Sequence, residues 1–144
     1  MELTTKGRYA VMALADLASR DGHQAVPLAD IAARQQISLS YLEQLFARLR
    51  RHGLVRSARG PGGGYRLAQS AVETRVADII LAVDEPLKIT RCGPEKRKGC
   101  LVKGERCITH DLWDDLGRKI REYLTSVTLD DVISGRLAHA EESR

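Results

Sequence analysis

The sequence predicts a mostly α fold: a winged helix-turn-helix domain with a β-hairpin wing, plus a long dimerisation helix. Three observations carry that expectation. Three apolar stripes at helical spacing lie within residues 5–52, a glycine-rich hairpin signal follows directly, and a longer stripe from Thr109 has the alternating spacing of paired helices.

Thr4 and Thr5 are both able to cap a first helix in which Ala10, Ala13, Leu14 and Leu17 fall at i, i+3, i+4 and i+7 and so share one buried face; it ends near Arg20, before Asp21-Gly22. Pro27 opens a short second helix as its N1 residue, with Leu28, Ile31 and Ala32 on the apolar side and an end at Gln35-Gln36. A tight turn leads to the third. Ser38 and Ser40 are both candidate caps, Ser40 with Glu43 has capping-box spacing, and Leu42, Leu45, Phe46 and Leu49 trace the buried stripe as far as His52-Gly53. Two short helices joined this way make a helix-turn-helix, whose second helix lies in a major groove with its outward side chains at base edges. Here the outward face carries Ser40, Tyr41, Gln44, Arg48 and Arg51. Gln can pair with adenine, Ser and Tyr can bond bases or phosphates, and Arg neutralises phosphate. A solvated helix face has the same composition, so this helix alone leaves both readings open.

Leu54 to Ala58 and Tyr65 to Ala68 read as strands joined by Arg59-Gly60-Pro61-Gly62-Gly63-Gly64, and a hairpin directly after a helix-turn-helix is a wing. Its glycines let backbone approach phosphate closely, and Arg59 at the shoulder is suited to a narrow minor groove. A nucleotide loop is excluded: the Walker pattern ends in Gly-Lys-Ser/Thr, and a dinucleotide fingerprint starting at Gly60 needs glycine where Tyr65 stands. Val76, Ile79, Ile80 and Val83 form the stripe of a fourth helix, stopped by Asp84-Glu85-Pro86. From Thr109 a long helix spaces Trp113, Leu116, Ile120, Tyr123 and Val127 alternately three and four apart. That stripe exceeds what a small domain needs for its own core, so pairing with a second copy is expected, since twofold DNA sites call for dimers. Gly117 within it permits close approach of backbones. Thr128 to Asp131 cap a last short helix ending at Gly135, and the remaining tail has no apolar repeat.

These elements divide the 144 residues into a DNA-reading domain (1–85), a cysteine loop (86–108), a dimerisation helix with a short C-terminal helix (109–135) and a flexible tail (136–144). A hydrophobic fraction of 43% argues against disorder throughout. Charge is uneven. Residues 1–70 hold ten Lys and Arg against five Asp and Glu, the balance of a phosphate-binding half, whereas 71–144 hold thirteen against fourteen. No run approaches the length of a membrane span, and the apolar run from Tyr9 to Ala15 is too short for a signal peptide, so a cytoplasmic protein without membrane or nucleotide partners is expected. His23, His52 and His139 are isolated and give a zinc hydrolase no general base, so no enzyme is expected.

All three cysteines fall between Cys92 and Cys107, and His110 follows three residues on. Three sulfur donors and one imidazole make a four-ligand set, that of tetrahedral zinc or of a 2Fe-2S cluster. The spacing Cys92-x7-Cys100-x6-Cys107-x2-His110 lacks the close CxxC pairs of zinc fingers and suits a cluster held by a loop. Nearby Lys and Arg favour thiolate, whether for ligation or oxidation. From spacing alone an iron-sulfur cluster, zinc, a thiol redox switch and unligated cysteines all stay open.

The stretches LTTKGRYAVMALADLA, VPLADIAARQQISLSYLEQLFARLRRHGLV, RGPGGGYRLA, ILAVDE and the cysteine loop through CITHDLW, in this order, resemble the IscR-like winged-helix transcription regulators over roughly residues 2–135. That resemblance implies a homodimer binding double-stranded promoter DNA, with a 2Fe-2S cluster held by Cys92, Cys100, Cys107 and His110. It implies a recognition helix over Ser38 to Arg51 and a wing in the minor groove, with Ser38, Ser40, Tyr41, Gln44, Arg50, Arg59 and Gly60 at DNA. Glu43 matches a position that tunes promoter choice; a carboxylate facing DNA repels phosphate unless it accepts from a cytosine amine. The cysteine loop departs from the family in its longer spacings and extra basic residues. Relatives include sensors of iron-sulfur supply and iron- or nitric-oxide-responsive repressors with a 4Fe-4S cluster, and His110 three residues after Cys107 favours the iron-sulfur-supply type. Zinc, or no metal in purified protein, and a cluster-carrier role complete the alternatives.

Overall fold

The structure, a computed structural model, describes residues 5–20, 24–83, 101 and 105–137. Cys92, Cys100, Thr4, the stop at Asp84-Glu85-Pro86 and the end of the tail lie outside them. Six helices and one two-stranded hairpin are present among the described residues, in the order α1 (Thr5–Ser19), α2 (Leu28–Gln35), α3 (Leu39–Arg51), β1 (Val55–Ala58), β2 (Gly64–Leu67), α4 (Val76–Ala82), α5 (His110–Ser126) and α6 (Leu129–Ser134).

The expected stripes form the core. Ala10, Ala13, Leu14 and Leu17 of α1 meet Ile31 of α2 and Leu42, Leu45, Phe46 and Leu49 of α3, with Ile79, Ala82 and Val83 closing one side and Leu129 of α6 another. Each helix contributes one apolar face because residues three and four apart stack on the same side. One polar side chain joins them: Asp16 of α1 is buried and accepts hydrogen bonds from Arg34 Nε (3.0 Å) and Nη2 (2.7 Å) and from Gln35 Nε2 (2.8 Å). This pairing fixes the end of α2 against α1.

The turn between α2 and α3 is short because Gln36 takes a left-handed conformation (φ 56°) and donates its N–H to the Ala32 carbonyl, which the Ile37 N–H also reaches at 3.1 Å. Ile37 is thereby drawn into the core, and α3 begins at Leu39. Pro27 is the N-cap of α2 rather than its first helical residue, and of the two candidate caps of α3 it is Ser38 that serves, accepting from the Tyr41 N–H at 3.3 Å. Ser40 therefore sits inside the first turn and the Ser40–Glu43 box does not form.

β1 and β2 pair antiparallel with Val55 opposite Leu67, Arg56 opposite Arg66 and Ser57 opposite Tyr65. Both strands start one residue away from the expected bounds, so Gly64 belongs to β2 and Leu54 and Ala68 flank the ladder. Val26 extends the hairpin into a third line by exchanging two backbone hydrogen bonds with Tyr65 (2.8 and 2.9 Å). Phe46 packs against Tyr65 with centroids 5.0 Å apart and ring planes tilted by 59°, tying the wing to α3.

α5 packs on α4 through a small second cluster of Val76, Ile80, Val127 and Leu124, and its one buried residue is Gly117. The chain then returns to the first half. Leu129 N–H reaches the Thr74 carbonyl (2.9 Å), Val76 N–H the Val127 carbonyl (3.0 Å), and α6, with a complete capping box of Thr128 and Asp131, lies along α1.

Candidate DNA interface and ligand turn

At about 100° per residue, the exposed face of α3 has a centre and two flanks. Ser40, Gln44, Ala47 and Arg51 form the exposed centre, Glu43 and Arg50 one exposed flank, and Tyr41 and Arg48 the opposite, half-buried flank. The structure thus brings Ser38, Ser40, Glu43, Gln44 and Arg50 to one open surface. Ser38 Oγ lies 3.0 Å from Ser40 Oγ. Tyr41 is turned partly inward, its ring edge-on to Tyr9 at 5.9 Å. Arg48 is anchored: its Nη1 donates to the Val83 carbonyl at the end of α4 (3.2 Å), which ties α3 to α4. Ala47 escaped the sequence reading because an apolar residue on a polar face carries no pattern; only the completed helix places it between Gln44 and Arg51.

The wing adds Arg59 and Gly60, both exposed. Gly60 has φ +100°, a conformation L side chains rarely adopt, and its carbonyl accepts from Gly63 N–H at 2.8 Å to close the tip. Arg56 and Arg66, not singled out in the sequence, are exposed and directly opposed on the hairpin. Like charges opposed across strands repel, so this pair favours an anion between them. They line an open cavity of about 560 Å³ with Ala18, Ser70 and Ala71.

Of the four expected ligands, the described residues hold two. Cys107, half-buried, accepts the His110 N–H at its carbonyl (3.0 Å), so both sit on the turn that starts α5. Thr109 Oγ1 lies 3.7 Å from Cys107 Sγ and accepts from the Trp113 indole N–H at 3.0 Å. Leu101 N–H reaches the Glu105 carbonyl at 2.9 Å. Among the described residues no group of three or more His, Cys, Asp or Glu side chains comes together.

The expected dimerisation residues divide. Trp113 (39% exposed), Leu116 (37%) and Tyr123 (50%) form an open apolar face, which Leu112 (58%) and Ile108 extend. Ile120 is half-buried at its edge. Val127 is a correction: it is the C-cap of α5 in extended conformation, 8% exposed, and packs on Val76 and Ile80 of its own chain. The helix ends one residue before it, so the three-four spacing no longer describes its direction.

A family model for Rrf2, described as an iron-dependent transcriptional regulator, matches residues 3–135. The chain belongs to the Rrf2 family. An HTH-type transcriptional regulator IscR from Pectobacterium carotovorum is 54% identical over 136 residues, spanning 94% of this chain and 81% of the relative. The solved T. potens IscR superposes with a TM-score of 0.76 at 37% identity, covering 95% of this chain and 89% of that one. CymR, the global cysteine regulator of B. subtilis, superposes at 0.78 with 33% identity, covering 93% and 97%. This Rrf2 protein is accordingly a transcriptional regulator that binds DNA through a winged helix-turn-helix, and its relatives are regulators rather than enzymes. No helix among the described residues is long and apolar enough to cross a membrane.

Proposed function

We propose that the chain is a dimeric promoter-binding regulator whose Cys92, Cys100, Cys107 and His110 hold a 2Fe-2S cluster, with loading changing which promoters are bound, iron-sulfur assembly genes among them. One observation carries this reading: Cys107 and His110, the last two donors of the set, are hydrogen-bonded into a single turn at the N-terminal end of the 17-residue α5. The donors fit the group. Three thiolates leave such a cluster with net negative charge, which a helix N-terminus and the basic loop both favour. Bound there, the cluster would supply a one-electron redox couple and a rigid link between loop and helix.

The chain's own residues do the remainder. Gln44, Ser40 and Ala47 meet base edges at the centre of α3, Arg50 and Arg51 neutralise phosphate, and Ser38 and Tyr41 support the first turn while offering hydroxyls to the backbone. Glu43 discriminates by repulsion wherever no cytosine amine faces it. Arg59 and Gly60 bring the wing into the minor groove, and Arg56 and Arg66 add two phosphate contacts. Trp113, Leu116, Ile120 and Tyr123, with Leu112, pack against a second copy. Communication runs along packed elements: the ligand turn begins α5, α5 rests on α4, and α4 holds Arg48 of the recognition helix.

Anaerobic purification followed by visible absorption and Mössbauer spectra, then DNA binding at fixed salt by wild type and Cys92→Ala, tests the reading. A 2Fe-2S signature with promoter-dependent loss of affinity in the variant supports it. A 4Fe-4S signature moves the protein to iron or nitric-oxide sensing. A loaded protein whose DNA affinities ignore the ligands points to a cluster carrier, and a colourless protein with full affinity leaves the DNA-binding half alone.

A further inference from the structure

Thr109 is the N-cap of α5, yet its side chain makes no capping hydrogen bond. Threonine at this position normally accepts from a free backbone N–H of the first turn. Here the hydroxyl is engaged elsewhere: it lies 3.7 Å from Cys107 Sγ and 3.0 Å from Trp113 Nε1. The chemistry of the three groups assigns the protons. An indole N–H only donates, so Thr109 Oγ1 must accept from Trp113. Either atom could donate in the Cys107–Thr109 contact of a free thiol; once Cys107 is a ligating thiolate it only accepts, and the single hydroxyl proton is then directed at sulfur. The chain of bonds therefore runs Trp113 N–H to Thr109 oxygen, Thr109 O–H to Cys107 sulfur, and each bond polarises the next.

Its two ends lie in different functional regions. Cys107 belongs to the expected ligand set, whereas Trp113 stands on the exposed apolar face of α5 with Leu112 and Leu116. We infer that Thr109 is a positioning residue that couples the electronic state of the Cys107 sulfur to the setting of Trp113 on that face. The inference rests on the cluster reading above for its redox half. A hydrogen bond to a ligand sulfur stabilises the more electron-rich state, so Thr109 raises the reduction potential of the group that Cys107 holds. Conversely, a change in negative charge on that sulfur strengthens or weakens the Thr109 bond and, through it, the hold on the indole. By reciprocity, whatever packs against Trp113 biases the potential in turn.

Trp113 is the only tryptophan of the chain, so its indole N–H gives one unambiguous nuclear resonance. The test compares wild type, Thr109→Val and Thr109→Ser in two measurements: the indole ¹⁵N–¹H resonance of cluster-free protein, and the midpoint potential of the anaerobically loaded protein by spectroelectrochemical titration. Thr109→Val, which keeps shape but has no hydroxyl, should move the indole resonance upfield and the potential to more negative values, and Thr109→Ser should restore both. An indole resonance unmoved by Thr109→Val overturns the relay, and so does a moved resonance with an unchanged potential, which would make Thr109 a tether for Trp113 only. If wild type takes up no cluster, the cluster reading has failed separately. The relay is then decided in cluster-free protein by Cys107→Ala, which must shift the indole resonance when Thr109 is present and leave it unmoved in the Thr109→Val background.

Discussion

Asp16 is a carboxylate on an otherwise apolar helix face, 2% exposed at its side chain and held by Arg34 and Gln35. Burial pushes its carboxyl up, but the Arg34 hydrogen bonds and charge together with the Gln35 amide outweigh it, and the folded value lies below the ordinary one. A folded pKa below the unfolded one means that the ionised form favours the fold. The contribution is complete above the unfolded value of about 3.9 and is lost as pH falls through the lower folded value. Asp16→Asn should therefore cost about 1–3 kcal/mol in urea unfolding at pH 7. It should also show a shallower loss of stability than wild type between pH 4 and the acid limit, taking about 3.9 as the upper bound of the window. Glycines of the wing divide by cause. A Cβ at Gly64 would stand 2.2 Å from the Val26 carbonyl oxygen, whereas one at Gly62 meets nothing within 4 Å. Gly64→Ala should push Val26 off the hairpin and destabilise by about 2 kcal/mol or more, by analogy with backbone strain. Gly62→Ala should leave thermal unfolding within about 0.5 kcal/mol of wild type and weaken operator binding, since only a close approach to DNA asks for glycine there. An unchanged affinity would remove the wing tip from the interface.

Helix α3 shows how an element's sequence pattern can be right while its details shift. Leu42, Leu45, Phe46 and Leu49 are buried as their spacing demands, but Ser38 took the cap because Ile37 was drawn into the core and the turn closed one step early. Arg48, polar and outward by pattern, found the Val83 carbonyl; that acceptor lies 35 residues away and no local rule anticipates it. For the wing, alternation put Val55 and Leu67 inward, and the ladder then set Arg56 against Arg66. Replacing both by Gln should reduce the slope of log affinity against log salt by about two, since each phosphate contact contributes about 0.9. An unchanged slope would mean that the pair faces away from DNA. Glu43→Ala should raise affinity for non-cognate promoters more than for the preferred one, measured as a ratio in competition binding.

At the scale of the molecule, α5 presents more apolar surface than its own domain covers. Leu124 packs on Val76 and Ile80 of α4, while Leu112, Trp113, Leu116 and Tyr123 remain open. Leu116→Glu should shift the protein towards monomer in sedimentation equilibrium and lower affinity for a twofold site far more than for a half-site; a dimer unaffected by this change would place the interface elsewhere. Because α4 and α6 both pack on α1 and Leu129 joins the main core, α5 is held between elements of one packed body, and thermal unfolding of wild type should be a single transition.

The order of helices, the hairpin and the buried stripes were determined by the chain's own periodicity and residue chemistry, because these depend on neighbours three or four positions away. What only the tertiary structure decided lies at longer range: the partner of Asp16, the Val26–Tyr65 pairing behind Gly64, the anchor for Arg48 and the inward turn of Val127. Long-range partners are selected by how packed faces meet in space. A linear pattern states which faces are apolar and leaves open which face of which element each will meet.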